Sequence, residues 1–240
     1  MSNDATVKGY AEWKNWDKST QKSTRFSWRF KYANKHIVQP LQAMRASHVC
    51  ELGAGSGRLS NYLARLGMEG TAVDIITPPT LDSRIKFVLG DATSALMNME
   101  AESFHAVLAI DMLEHVPRDD MDSLLEQIYD KLKPEGLLMI QVPNAGSPMG
   151  LAYQEGDWTH ITRFSSSSIN QLLLSKRFEV LRNQGAPLPI MPVSTLLARP
   201  AYWICSFFWK MWMTSVGVRA DVLPPNLFVV ARKPSDTATH

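Results

Sequence analysis

The sequence is poor in cysteine: Cys50 and Cys205 are the only two in 240 residues, and they lie far apart. Two thiols so placed make neither a disulfide framework nor a four-thiolate zinc site. Charge of one sign is also lacking, with 25 Lys and Arg against 23 Asp and Glu, a net of +2. Non-specific nucleic-acid binding draws on a basic face or tract, so this balance argues against a nucleic-acid partner. No run of about 18 apolar residues occurs, and no ordinary membrane-spanning helix is expected. Residues 1–18 contain no apolar stretch of the secretory kind, so a cytoplasmic location is expected. There is no internal repeat. The one low-complexity patch, Ser165–Ser168, is most simply a helix cap.

Core-forming residues are plentiful, with 45% hydrophobic and 20% charged, enough for a folded chain of one or two domains. Residues 1–45 form an N-terminal segment. Its polar start, punctuated by Tyr10, Trp13 and Trp16, reads as an arm or lid, and residues 26–44 as a helix broken near Pro40. From residue 46 to 240, short apolar runs alternate with amphipathic stretches. Strands are expected at 48–52, 71–73, 85–89, 104–110, 137–142, 178–183 and 227–231. Helices are expected at 58–66, 119–132 and 166–175. Such alternation implies an α/β fold, a parallel sheet covered by helices on both faces.

Glu51-Leu52-Gly53-Ala54-Gly55-Ser56-Gly57 follows the first of these strands and opens a helix. Glycines there let the backbone turn tightly and let a ligand approach the main chain. The spacing is G-x-G-x-G, not the G-x-G-x-x-G of dinucleotide folds. A carboxylate at Glu51 opposes a pyrophosphate and suits a ligand carrying an ammonium and a sulfonium. Asp74 ends the next strand, 17 residues beyond Gly57, where an acid accepts from both hydroxyls of a ribose. Gly90-Asp91-Ala92 follows the third strand, and Asp91 is placed to accept from an adenine amino group. Plainer readings stand beside these: a tight strand–helix turn, a solvated loop acid and a Gly-Asp turn.

Taken in order, Glu51 to Gly57, Asp74, Asp91, Asp111 and Leu132-Lys133-Pro134-Glu135-Gly136 resemble the class I S-adenosylmethionine-dependent methyltransferases. The resemblance covers about residues 48–184 and the last strand. It implies a doubly wound, Rossmann-like, seven-stranded and mostly parallel sheet with one antiparallel strand. It implies S-adenosyl-L-methionine as donor and S-adenosyl-L-homocysteine as product. The methionine moiety would lie along Glu51, Gly53, Ala54, Gly55 and Gly57, the ribose at Asp74 and Ile75, and the adenine at Gly90, Asp91 and Ala92. Asp111 and Met112 would lie beside the donor.

Methyl transfer is an in-line displacement at a sulfonium carbon. For a hydroxyl acceptor the protein must align the oxygen and help remove its proton. Groups for that task are expected at the carboxyl ends of strands four and five. The first contains Asp111-Met112-Leu113-Glu114-His115, and Asp157-Trp158-Thr159-His160 follows the second. Two carboxylates and two imidazoles suit Mg²⁺, Mn²⁺ or another divalent ion. The first segment resembles the acid-x-x-Glu-His motif of ubiquinone-biosynthesis O-methyltransferases and of small-RNA terminal 2′-O-methyltransferases. That resemblance implies Asp111, Glu114, His115 and His160 as metal ligands, although Asp111 stands where the motif has Glu and reaches less far. The rival reading needs no metal and makes His160 or His115 a general base. A third leaves Asp111 facing the donor's amino group and Glu114 capping the next helix. His105, within a strand, reads as packed or surface-lying. His160 to Phe164 resembles the His-x-x-x-Phe loop that helps close quinone and sugar O-methyltransferases. Trp158 would stack on a ligand or anchor the loop, and Arg163 would bind an anionic acceptor group or make a surface salt bridge.

Three of the seven tryptophans fall between Trp203 and Trp212, inside a hydrophobic helical insertion at about 186–224. Arg199 and Lys210 leave roughly ten apolar residues between them, too few to span a bilayer. The insertion therefore covers the acceptor pocket or core, makes peripheral membrane contact through 200–213, or forms a dimer surface. Monomer and homodimer both fit. The sequence points to O-methylation of a small-molecule or lipid-linked hydroxyl, and nothing resembles the Asn-Pro-Pro-Tyr motif of amino-methylating enzymes. The alternatives are an RNA 2′-O-methyltransferase and a non-catalytic S-adenosylmethionine-binding module.

Overall fold

Strands that read as nearly unbroken apolar runs are covered on both faces, and these are. The computed structural model describes residues 33–186, 198–217 and 222–235. Tyr10, Trp13, Trp16 and the start of the first expected helix lie outside the described residues. Seven strands form one sheet: β1(His48–Leu52), β2(Glu69–Asp74), β3(Ile85–Leu89), β4(Phe104–Ile110), β5(Leu132–Pro143), β6(Glu179–Gly185) and β7(Asn226–Arg232). Their order is β3-β2-β1-β4-β5-β7-β6. All neighbouring pairs are parallel except those made by β7, which runs antiparallel to β5 and β6.

The pleat divides the core into two layers. Val49, Ala106, Leu108 and Met139 pack on one face with Ile37, Leu41 and Leu63. Cys50, Leu52, Val107, Ala109 and Ile140 pack on the other with Leu124, Leu125 and Ile128. These helical partners come from α1(Gln39–Ala43) and the turn before it, α2(Arg58–Arg65) and α4(Arg118–Lys131), so both faces carry helices. In α4 the buried positions Met121, Leu124, Leu125 and Ile128 recur at helical spacing, one apolar stripe against the sheet. The chain order reverses between β1 and β4, and a crevice opens at the carboxyl ends of strands at such a reversal.

β1, β3 and β4 have the bounds expected from sequence. β5 begins at Leu132, not 137, because Leu132 pairs with Phe104 across an irregularity in register. Two helices were not anticipated: α3(Ala92–Met97) and α5(Pro148–Gln154). Their start signals are present: the Asp91 carboxylate accepts from Ser94 N at 2.9 Å, and Ser147 precedes a Pro at the first helical position. The helix at 34–43 is not broken at Pro40. A π-helical turn over Asn34–Val38 runs directly into α1, and Pro40 sits in the first α-turn, where its missing N–H is tolerated. The serine run caps α6(Ser166–Ser175): Ser165 Oγ accepts from Ser168 N, and Ser165 N donates to Ser168 Oγ. His105 is part of the sheet framework, its Nδ1 accepting from His48 N at 3.3 Å.

Candidate active site

The turn after β1 is shaped by glycine. Gly53, Gly55 and Gly57 all have positive φ, at 71°, 55° and 71°. At Gly53 a Cβ would also stand 2.7 Å from Met112 Cγ, so the loop after β1 and the turn after β4 touch where only hydrogen fits. Gly53 N and Ala54 N both donate to Val73 O, which fastens the loop to the end of β2.

Two acids lie behind this loop. Glu51 is buried, and its Oε2 accepts from the backbone N–H and the hydroxyl of Ser60 in the first turn of α2. Burial pushes its carboxyl up to about 7, against the lowering effect of Ser60. The folded chain therefore holds a proton that the unfolded chain releases near 4.5, and this group's contribution to stability falls as pH rises from about 4.5 to about 7. Asp74 closes β2. Its Oδ2 accepts from Gly55 N at 2.7 Å and its Oδ1 from Ile76 N at 2.9 Å. A carboxylate has about four acceptor positions, so the backbone N–H groups do not exhaust them. Ile75 beside it is exposed. Gly90 N donates to Asp74 O, which brings Gly90, Asp91 and Ala92 to the same edge. Asp91 has the structural task of capping α3, and the Ser94 N–H holds its carboxyl below the ordinary value.

The second half of the site forms where the loop after β5 crosses the turn after β4. Glu114 and His115 lie in a single 3₁₀ turn, Leu113–His115. Glu114 O accepts from both Ile161 N and Thr162 N, which latches the later loop onto that turn. Glu114, His115 and His160 each offer a ligand atom, and these atoms lie within 4.8 Å of one another. His160 Nε2 is 3.8 Å from Glu114 Oε1 and 3.8 Å from Asp157 Oδ2. The two imidazole rings meet edge to face with centroids 4.7 Å apart.

The hydrogen bonds fix which ring nitrogen carries a proton. His160 Nδ1 lies 3.2 Å from Gln154 O, an acceptor only, so Nδ1 is the donor. Thr159 Oγ1 donates to Asp157 Oδ1 at 2.6 Å and lies 2.9 Å from His115 Nδ1, which therefore donates to Thr159. In both neutral rings Nε2 carries the lone pair. A lone pair facing two carboxylates is unfavourable until a proton or a cation arrives between them. At 3.8 Å neither carboxylate makes a direct hydrogen bond to His160 Nε2. A ring N–H held by a backbone carbonyl is also the usual support of a metal-bound histidine, so these residues fit a divalent ion.

Asp111 is not part of this cluster. Its backbone takes φ 53°, and its Oδ1 accepts from Gln141 Nε2 at 2.8 Å. The ligand role expected for it is therefore corrected: its side chain joins β5. Glu114 is buried, and the N-cap position of α4 is held by Pro117, which makes no side-chain cap. Trp158 is 96% exposed, which removes the packed-anchor reading, and Arg163 pairs with Glu155 at 2.7 Å on the surface. Gln154 and Thr159 were missed from sequence, because one orients its histidine through a backbone carbonyl and the other only by the loop's fold.

Comparison with known proteins agrees with this fold. A family model described as a methyltransferase domain matches residues 26–183. Ubiquinone biosynthesis O-methyltransferase of Mus musculus is 31% identical over 124 residues, 47% of this chain and 32% of that protein. The enzyme of the same name from Actinobacillus pleuropneumoniae is 29% identical over 122 residues, 45% of this chain and 51% of that protein. The match thus spans a third to a half of the length of these relatives. A SAM-dependent methyltransferase from Archaeoglobus fulgidus has the same fold, with a TM-score of 0.61 at 18% identity over 86% of this chain and 100% of that one. A Burkholderia thailandensis N1-methyltransferase bound to S-adenosylhomocysteine gives 0.55 at 20% identity, over 88% and 87%. With the family model covering well over half its length, the chain belongs to the class I S-adenosylmethionine-dependent methyltransferases.

Proposed function

We propose that the protein transfers the methyl group of S-adenosylmethionine to a hydroxyl of a small or lipid-linked acceptor. The observation that carries this reading is the placement of His160 Nε2 at 3.8 Å from each of two carboxylates, on a loop latched to the turn whose Met112 packs on Gly53. A hydroxyl, unlike a neutral amine, is a poor nucleophile until its proton is drawn off. His160 Nε2 takes that proton, and Glu114 and Asp157 stabilise the resulting imidazolium. His115, held through Thr159, keeps a second Nε2 beside it. The names of the ubiquinone biosynthesis relatives support oxygen as the acceptor atom.

On the donor side, Asp74 receives the ribose hydroxyls on the acceptor positions its backbone partners leave. The glycine loop lies along the methionine moiety, and Glu51 supplies negative charge behind it. Asp91 faces the adenine with the oxygen not used for capping. Ionised Glu51 favours the cationic donor, so affinity should rise roughly tenfold from about pH 6 to about pH 8 as this carboxyl titrates. Calorimetry in buffers of different ionisation enthalpy should show a proton released on binding, and Glu51→Gln should flatten the profile. A flat profile in the unaltered protein would remove Glu51 from the donor site.

In a second reading, favoured by the convergence of their ligand atoms, Glu114, His115 and His160 would hold a divalent ion in place of the proton on His160, and that ion when bound lowers the pKa of a coordinated hydroxyl. That reading predicts turnover abolished by EDTA and restored by Mg²⁺ or Mn²⁺. Full turnover in EDTA assigns proton removal to His160 alone.

A further inference from the structure

The two sides of the helix α7(Ala198–Ser215) differ in exposure. Tyr202, Ser206, Trp209 and Met213 recur at spacings of four, three and four residues and are buried or half-buried. On the opposite side Trp203, Ile204, Phe207, Phe208, Met211 and Trp212 are each more than half exposed, Trp203 at 70%. Six large apolar side chains on one turned-out face form a patch that a water-facing surface does not maintain.

We propose that α7 is an interfacial helix that docks this face on an anionic lipid bilayer. Charge selects the occupant. From Val180 to Ala220 the sequence contains Arg182, Arg199, Lys210 and Arg219 and no Asp or Glu. A second copy on the same patch would bring two such cationic stretches together across a two-fold contact, whereas anionic headgroups complement them. Trp and basic residues are favoured at the headgroup level, and no helix among the described residues is long and apolar enough to cross a membrane.

The topology gives this docking a direction. β6 ends at Gly185, paired with Leu227, and β7 starts at Asn226, opposite Pro143 at the end of β5. Both ends of the segment that carries α7 thus lie at the edge where β1, β4 and β5 end, the edge of the candidate site. Asn144 Nδ2 donates to Val222 O and Pro224 O, and fastens the return to that edge. Four residues separate Gly217 from Val222, so their Cα atoms are five steps apart, a reach of at most about 18 Å. At the same edge the segment after β5 exposes Tyr153 in α5 and Trp158 and Ile161 in the loop that follows it. Docking through α7 therefore brings the bilayer to a segment that leaves and rejoins the sheet at the edge of the candidate site. The proposal stands on this surface alone and does not depend on the acceptor chemistry.

The test is flotation of the full chain with phosphatidylcholine vesicles prepared with and without phosphatidylglycerol. Binding is expected to the anionic vesicles, weakened by salt and accompanied by a blue shift of tryptophan emission. Phe207→Ser with Phe208→Ser, both on exposed positions, is expected to lower partitioning roughly tenfold or more, with circular dichroism and S-adenosylhomocysteine binding retained. Absence of binding to either vesicle would overturn the proposal. So would equal binding to both, unchanged binding by the double variant, or a stable dimer without vesicle binding that the same substitutions dissociate.

Discussion

His160→Ala is expected to lower kcat by roughly two to four orders of magnitude while changing S-adenosylhomocysteine affinity by less than about twofold. The split follows from position. His160 is held by Gln154 O on a loop of the acceptor side, whereas the donor loop is held by Asp74 Oδ2 and Val73 O. Glu114 Oε1 and Asp157 Oδ2 stabilise the charge that His160 acquires, so removing the ring removes that contribution of theirs to turnover. Glu114→Gln should lower kcat less than the loss of the ring, because Asp157 Oδ2 stands at the same 3.8 Å from Nε2. Single-turnover methyl transfer and calorimetry on the same preparations separate the two effects. Equal loss of turnover and of donor affinity in His160→Ala would move this residue to the donor site.

The second large effect is on binding. Asp74→Ala should weaken S-adenosylhomocysteine by about 1–3 kcal/mol, roughly fivefold to 150-fold, as expected for lost charge-assisted hydrogen bonds. The carboxylate also ties Gly55 N and Ile76 N, so part of the loss is loop order rather than direct contact. Asp74→Asn separates the parts. Its amide oxygen can keep one backbone N–H, but its NH₂ brings a donor against the other. Unchanged affinity in Asp74→Ala, measured by calorimetry, would contradict the placement of the ribose.

Much of the architecture is legible from local pattern. β1, β3 and β4 are apolar runs closed by Gly, Asp or Ser-rich turns, and their bounds coincide with the expected ones. α3 and α5 are not legible as periodic segments, since six and seven residues make under two turns. Only their caps announce them. The extension of β5 back to Leu132 depends on a partner strand and an irregular register, which no single segment contains.

The site divides in the same way. Glu114 and His115 are neighbours in the chain, and His160 reaches them only because Glu114 O binds two N–H groups of the later loop. Spacing and family resemblance point to those three residues. Neither reveals that a left-handed backbone at Asp111 carries its side chain to Gln141 instead. The tautomers of both histidines likewise depend on Gln154 and Thr159, whose roles arise from the fold. The tryptophan-rich insertion is legible as amphiphilic, yet its outward apolar face is visible only once Tyr202, Ser206, Trp209 and Met213 are seen to turn inward.

The most direct measurement is transfer from S-adenosylmethionine labelled with ¹³C in its methyl group. Hydroxylated acceptors with short and long apolar tails are incubated with the protein and analysed by mass spectrometry and ¹³C NMR. The account predicts a product heavier by one labelled methylene whose ¹³C resonance is that of an O-methyl group, formed by the unaltered protein and lost in His160→Ala. A labelled methyl on nitrogen or carbon, or an O-methyl product formed equally well by His160→Ala, would contradict it.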